Sequence, residues 1–252
     1  MGPGVLSQVM SGLQFDHHPQ LLVGLEQADD AAVLLLNPTQ ALVQTVDFFP
    51  PIVDDPYDFG YIAAVHAMSD IYAMGGTPTM ALAIAAMPAD LDAAVIRAIF
   101  QGGIDAFRRA GAVVAGGHTI VDSEPKFGYT VSGIVDPQQI TRKRGVAMGD
   151  ALLLSKPLGS GIVTTAAMRD LADADALDVV ITKMKELNVM ASTTALAHHA
   201  AGMTDVTGFG LVGHLLEMID STGLGVTINS SLLPIYPTAL ELAAAGVVSG
   251  GL

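Results

Sequence analysis

The sequence predicts an α/β (α+β) chain of two domains, and three observations carry that prediction. Short apolar runs of strand character alternate with segments of helical period along the chain. Hydrophobic residues make up 51% of the 252 positions and charged residues only 14%, a balance that folds around a sizeable core. Composition shifts near Arg142–Asp150. That shift divides a domain over residues 1–148 from a second over residues 149–252.

Taken in order, Val5, Val9 and Leu13 have helical spacing after Pro3, and His17-His18-Pro19 reads as a surface loop. Ala31–Leu36 and Ala41–Phe48 read as strands joined at Asn37-Pro38-Thr39. The prolines at 50, 51 and 56 make an extended connection to a helix over Asp58–Met74, stopped by Gly75-Gly76 and Pro78. Thr79–Met87 reads as a strand, Leu91–Ala110 as a helix closed by Gly111, Ala112–Ala115 as a short buried strand, and Phe127–Val135 as a strand. In the second domain the pattern predicts strands at Ala151–Leu154 and Val226–Ile228. It predicts helices after Pro157, near Leu171–Asp175, and over Val179–Ala200, residues 211–221 and Tyr236–Ala245. The pattern stops at a Gly-Gly turn before Leu252, so the second domain is expected to be incomplete.

Charge and cysteine usage exclude several function classes. With 25 acidic and 11 basic side chains the net charge is −14, so a basic nucleic-acid face is not expected. The basic trio Arg142-Lys143-Arg144 reads as a solvated turn. The chain has no cysteine, which rules out thiolate chemistry and Cys-ligated zinc for these residues. No secretory signal is evident, and the longest apolar runs, such as Met80–Met87, are too short to span a bilayer. The expectation is a cytoplasmic protein without membrane or nucleic-acid partners.

Acidic residues in apolar or glycine-rich settings are the candidates for chemistry. Asp29-Asp30 precedes an apolar run, and Asp47, Asp70 and Asp205 recur singly downstream. Ala63, Ala67, Asp70 and Met74 share one helix face. A carboxylate on that face is costly unless it binds a ligand or caps a neighbouring loop, and both readings stand at this point. Hard oxygen ligands of this kind suit Mg²⁺, which bridges carboxylates to phosphates and lets an acidic protein accept an anionic ligand. Gly116-Gly117-His118-Thr119 after an apolar segment would present backbone N–H groups to an anion, although a tight turn is the favoured reading of a lone glycine pair. GxxxxGK[ST] does not occur.

Five segments in order carry a resemblance: Asp29-Asp30-Ala31-Ala32-Val33, Thr45-Val46-Asp47-Phe48-Phe49, Ser69-Asp70-Ile71-Tyr72-Ala73-Met74-Gly75-Gly76, Ala115-Gly116-Gly117-His118-Thr119 and Thr204-Asp205-Val206-Thr207-Gly208-Phe209-Gly210. Together they resemble selenophosphate synthetases (selenide, water dikinases), of the aminoimidazole ribonucleotide synthetase-like superfamily. The first and third fit that wider superfamily. Val46–Gly60 and Ser155–Gly159 are specific to the selenium enzymes. The resemblance implies a two-domain fold, with an N-terminal ATP-binding and dimerisation domain. It implies ATP and selenide as substrates, with selenophosphate, AMP and phosphate as products, and a homodimer. It assigns Asp30, Asp70 and Asp205 to Mg²⁺. It assigns Gln27, Ala28, Asp29, Asp47, Asp70, Gly117, His118 and Thr119 to the nucleotide, and replaces the turn reading of Gly116-Gly117. Ala28 departs from the basic or polar residue of the family there.

The family also carries an N-terminal Cys or selenocysteine and a nearby Lys, and Pro3-Gly4-Val5-Leu6 aligns just after that Lys. The chain is therefore expected to be truncated at both ends, to bind Mg-ATP as a dimer, and not to make selenophosphate as written. A selenocysteine codon upstream of Met1 would explain the start; its absence from the DNA would refute this. Two alternatives are another ATP-dependent kinase or ligase of the superfamily, told apart by ADP as product, and a non-catalytic nucleotide-binding dimeric remnant.

Overall fold

A computed structural model describes residues 8–13, 17–25, 29–220 and 222–249. Its first half is a six-stranded sheet of β1 (Leu21–Val23), β2 (Ala32–Asn37), β3 (Gln40–Phe49), β4 (Thr77–Met87), β5 (Val113–Val121) and β6 (Lys126–Val135), in the order β1-β2-β3-β6-β4-β5. All neighbours are antiparallel except β4 and β5. That parallel pair needs a crossover, supplied by helix α2 (Ala93–Ala110).

Helix α1 (Pro56–Ala73) has Pro56 in its first turn and Asp55 as its cap, whose carboxylate accepts from the Asp58 N–H at 2.8 Å. It ends where Gly75 turns into the left-handed region at φ 76°. The helix lies across the sheet under α2, and Phe59, Ala63, Ala67, Met68, Ile71 and Met74 are buried. Alternation places Val43, Thr45, Tyr129 and Val131 against these helices. The opposite sheet face carries Val46, Phe48, Met80 and Leu82, all exposed. Four apolar side chains on one open sheet face are far more than scattered surface residues.

The second half is mainly helical: α3 (Ser160–Ala167), α4 (Ala174–Met184), α5 (Val189–Ala197), α6 (Gly210–Ile219) and α7 (Pro237–Ala244). Val163, Val180 and Ala239 form a small second core, joined to the first through Leu177 and Met184. No helix among the described residues is long and apolar enough to cross a membrane.

Several expectations are corrected. Ala151–Leu154 and Val226–Ile228 are not strands. A strand exists only as one side of a ladder, and neither segment has a partner among the described residues; Leu153 is 96% exposed. The helix expected over Val179–Ala200 is two helices, separated at Lys185–Asn188. The strand expected at Ala112–Ala115 runs on to Val121, and it is an exposed sheet edge rather than a buried strand. The N-terminal helix falls partly on residues outside those described, and β1 has no counterpart in the sequence reading.

Candidate metal and nucleotide site

Four elements bring acidic residues to one end of the first core. Asp29 and Asp30 lie directly before β2, Asp47 near the end of β3, Asp70 in the last turn of α1, and Asp205 in the connection from α5 to α6. Oxygen atoms of Asp30, Asp70 and Asp205 lie within 4.8 Å of one another. Asp47 lies near enough for its charge to raise Asp70, and its Oδ2 lies 3.6 Å from His66 Nε2. The Thr45 hydroxyl donates to Asp70 Oδ2, so β3 supplies both a donor and an acid to this corner. Of the two readings open for Asp70, loop capping is not what its contacts show.

Burial, followed by the neighbouring charges of Asp205 and Asp47, pushes the Asp70 carboxyl up to about 9. Burial pushes Asp30 up to about 7, against the opposing pull of Lys143. Asp47 and Asp29 are raised for the same leading reason. Such values mark a group of acids short of positive charge. Asp30 Oδ2 is also buried without a hydrogen-bond partner. An orphaned carboxylate oxygen beside two further carboxylates fits a hard cation with oxygen ligands, Mg²⁺ being the natural one.

A feature missed by the sequence reading completes the corner. Arg142-Lys143-Arg144 is not a solvated turn. Lys143 is buried at 8% exposure, and its ammonium lies 2.9 Å from both Asp30 Oδ1 and Glu217 Oε2. Burial opposes its charge, but these two carboxylates outweigh burial and hold it above the usual lysine range. The Arg142 guanidinium donates to the Leu22 carbonyl at 2.7 Å, and that of Arg144 to Asp220 at 3.0 Å. A buried contact so distant in sequence leaves no local signature. The only available hint was three cations beside the domain boundary in a chain with few.

The remaining nucleotide candidates divide. Gln27 and Ala28 lie outside the described residues. Asp29 accepts from the Asp30 and Lys143 N–H groups at 3.0 and 3.2 Å. Gly117, His118 and Thr119 lie inside β5, away from the aspartates. Asp47 pairs with Tyr129, Tyr129 with Ala83, and Ala83 with Gly117. Gly117 is thus three strand spacings from Asp47, about 14 Å at about 4.8 Å each. By register His118 shares the open face with Ile84 and Phe48.

Comparisons with known proteins agree with this architecture. Residues 28–135 match the AIR synthase related protein, N-terminal domain, and residues 147–251 the C-terminal domain of the same name. The chain is 48% identical over 252 residues to a selenide, water dikinase of Pelobacter propionicus, covering 100% of this chain and 72% of the relative. It is 47% identical over 253 residues to that of Pseudomonas straminea, covering 99% and 71%. Among solved structures, thiamine-monophosphate kinase from Stenotrophomonas maltophilia superposes with TM-score 0.72 at 19% identity, covering 98% of this chain and 81% of that one. The hydrogenase maturation protein HypE in complex with ATP gives 0.70 at 20%, covering 98% and 76%. The structural likenesses establish the fold, and the sequence relatives establish the family: the chain belongs to the selenide, water dikinase family, within the AIR synthase related proteins.

Proposed function

We propose that this chain carries the ATP- and metal-binding body of an enzyme making selenophosphate from selenide and water at the expense of ATP, with AMP and phosphate released. Family membership over the whole chain supports the reaction class. The observation that carries the site is the cluster of Asp30, Asp70 and Asp205 with its orphaned buried oxygen. These three side chains would hold Mg²⁺, which supplies the positive charge that lets so acidic a corner accept a polyphosphate. Asp47 and Asp29 would act on the nucleotide side with Gln27 and Ala28.

Gly117, His118 and Thr119 fit the nucleotide reading through a homodimer. The open sheet face exposes Val46 and Phe48 on β3, Met80 and Leu82 on β4 and Ile120 on β5. A second copy laid on that face would cover it and bring the partner's β5 edge near this site. The domain division at 148/149 and a cytoplasmic location complete the proposal.

The test is titration of Mg²⁺ and ATP into the protein, alone and together, with Asp70→Asn and Asp205→Asn as variants. Loss of metal binding in both variants is the expected result; retention in both refutes the site. Phosphorus NMR of the enzyme turning over selenide separates AMP plus phosphate from ADP, the product expected of the kinase alternative.

A further inference from the structure

We infer that Lys143 and Glu217 are positioning residues for Asp30, fixing its carboxylate so that one oxygen alone faces the metal. The inference rests on the reading of Asp30 as a metal ligand. The Asp30 side chain is 2% exposed. Its Oδ1 receives the Lys143 ammonium at 2.9 Å and the Thr204 hydroxyl at 3.0 Å, while Oδ2 has no partner. Thr204 has a single proton to give, and the Asp205 carbonyl, 3.1 Å away, competes for it. Lys143 is therefore the steady donor to Oδ1. With Oδ1 occupied, the carboxylate cannot turn to offer both oxygens without breaking a buried ion pair.

Lys143 is itself held from three sides. Its backbone N–H donates to Asp29, which registers the turn at residues 143–145 against the acidic pair. Its ammonium is shared with Glu217 on α6. Glu217 Oε2 in turn lies 3.5 Å from His214 Nδ1. Asp30 precedes β2 in the first half of the chain and Glu217 lies in the second, so one buried ammonium ties both halves to the same ligand. Partners behind a metal ligand commonly cost about 10–100-fold in metal affinity when removed.

The experiment measures Mn²⁺ binding by the disappearance of the free-ion EPR signal, on the full chain and five variants: Lys143→Met, Lys143→Arg, Glu217→Gln, Asp70→Asn and Asp205→Asn. Thermal unfolding confirms that each is folded at the temperature used. Lys143→Met is expected to weaken Mn²⁺ binding by about 10–100-fold. Glu217→Gln should weaken it in the same direction and less, and Lys143→Arg should recover most of the loss. An ion pair with a merely structural role would lower the melting temperature and leave the dissociation constant alone. If Lys143→Met binds Mn²⁺ as tightly as the parent, or more tightly, the lysine does not position the ligand and the inference fails. Should Lys143→Met not fold, unchanged binding in Glu217→Gln overturns the inference by itself. If Mn²⁺ binding survives both Asp70→Asn and Asp205→Asn, the metal-site reading itself is wrong. If those two lose binding and the Lys143 and Glu217 variants do not, only the positioning role is wrong.

Discussion

Gly60→Ala should destabilise the protein, although the same change in an exposed helix interior would stabilise it. Gly60 lies on α1 where α2 crosses. A Cβ built there falls 1.8 Å from the Ile99 carbonyl oxygen and 2.9 Å from the Ile99 Cα. Gly102 on α2 is matched the same way, with a Cβ 1.9 Å from the Tyr57 carbonyl oxygen. Real Cβ contacts essentially never fall below 3.0 Å, so one methyl demands a separation of at least about 1.2 Å. No rotamer change can supply it, because the obstacles are backbone on both helices. Overpacking of this kind costs about 3 kcal/mol at the upper end, and alanine in place of glycine returns about 1 kcal/mol of helix propensity. The expected net loss is about 2 kcal/mol, read as a lower urea midpoint with an unchanged slope. Asp70 lies ten residues farther along α1, about 15 Å at 1.5 Å per residue. Metal sites tolerate about 0.2 Å, so even partial transmission of the shift should weaken Mn²⁺ binding. A variant as stable as the parent, or more stable, would show that the α1–α2 contact is not closed by backbone and that the argument is wrong.

Other outcomes follow from the same structure. Met80→Asp with Leu82→Asp puts two charges on the open sheet face, and sedimentation should then show a monomer where the parent sediments as a dimer; a monomeric parent refutes the dimer proposal. In the metal-free protein, Asp30 at about 7 and Asp70 at about 9 hold protons that the unfolded chain, at 3.8, gives up. Stability should therefore fall as pH rises between about 4 and 9, by at most about 1.4 kcal/mol per group per pH unit. Mg²⁺ should remove that fall, and urea midpoints that rise with pH in metal-free buffer would contradict it. Gly117→Ala places a methyl 2.2 Å from the Ala83 carbonyl oxygen. It should loosen the β5 edge, read as faster amide exchange over Val113–Val121, and equal protection in both proteins would refute the contact.

Most of the first half was legible because its signals are local. Pro56, the Asp55 cap and Gly75 bound α1 within two residues of the sequence reading. The shared face of Ala63, Ala67, Asp70 and Met74 is a matter of 3.6 residues per turn, and the three apolar members are fully buried. The second half was less legible for a physical reason. Ala151–Leu154 and Val226–Ile228 have strand composition, but composition fits a segment for a sheet and cannot supply the ladder. Val113–Val121 failed in the opposite sense. Its exposed apolar residues, Val113, Ile120 and Val121, look the same from sequence alone as buried ones.

The site divides along the same line. Asp30, Asp70 and Asp205 were identifiable because each sits in a motif carried by a resemblance, and the fold then brings their oxygens together. Lys143 lay in view and was misread. A run of three cations is usually a wet surface, and nothing within a few residues of Lys143 says otherwise. What decides its fate is distant in sequence: Asp30 lies 113 positions before it and Glu217 74 positions after. Burying an ammonium is costly unless acids meet it, and here two do. Buried acids gathered this closely also call for compensating positive charge. In a chain with 11 basic residues against 25 acidic ones, a cation spent inside the fold is itself a signal. The scarcity of positive charge, rather than any local pattern, is what should direct attention to Lys143.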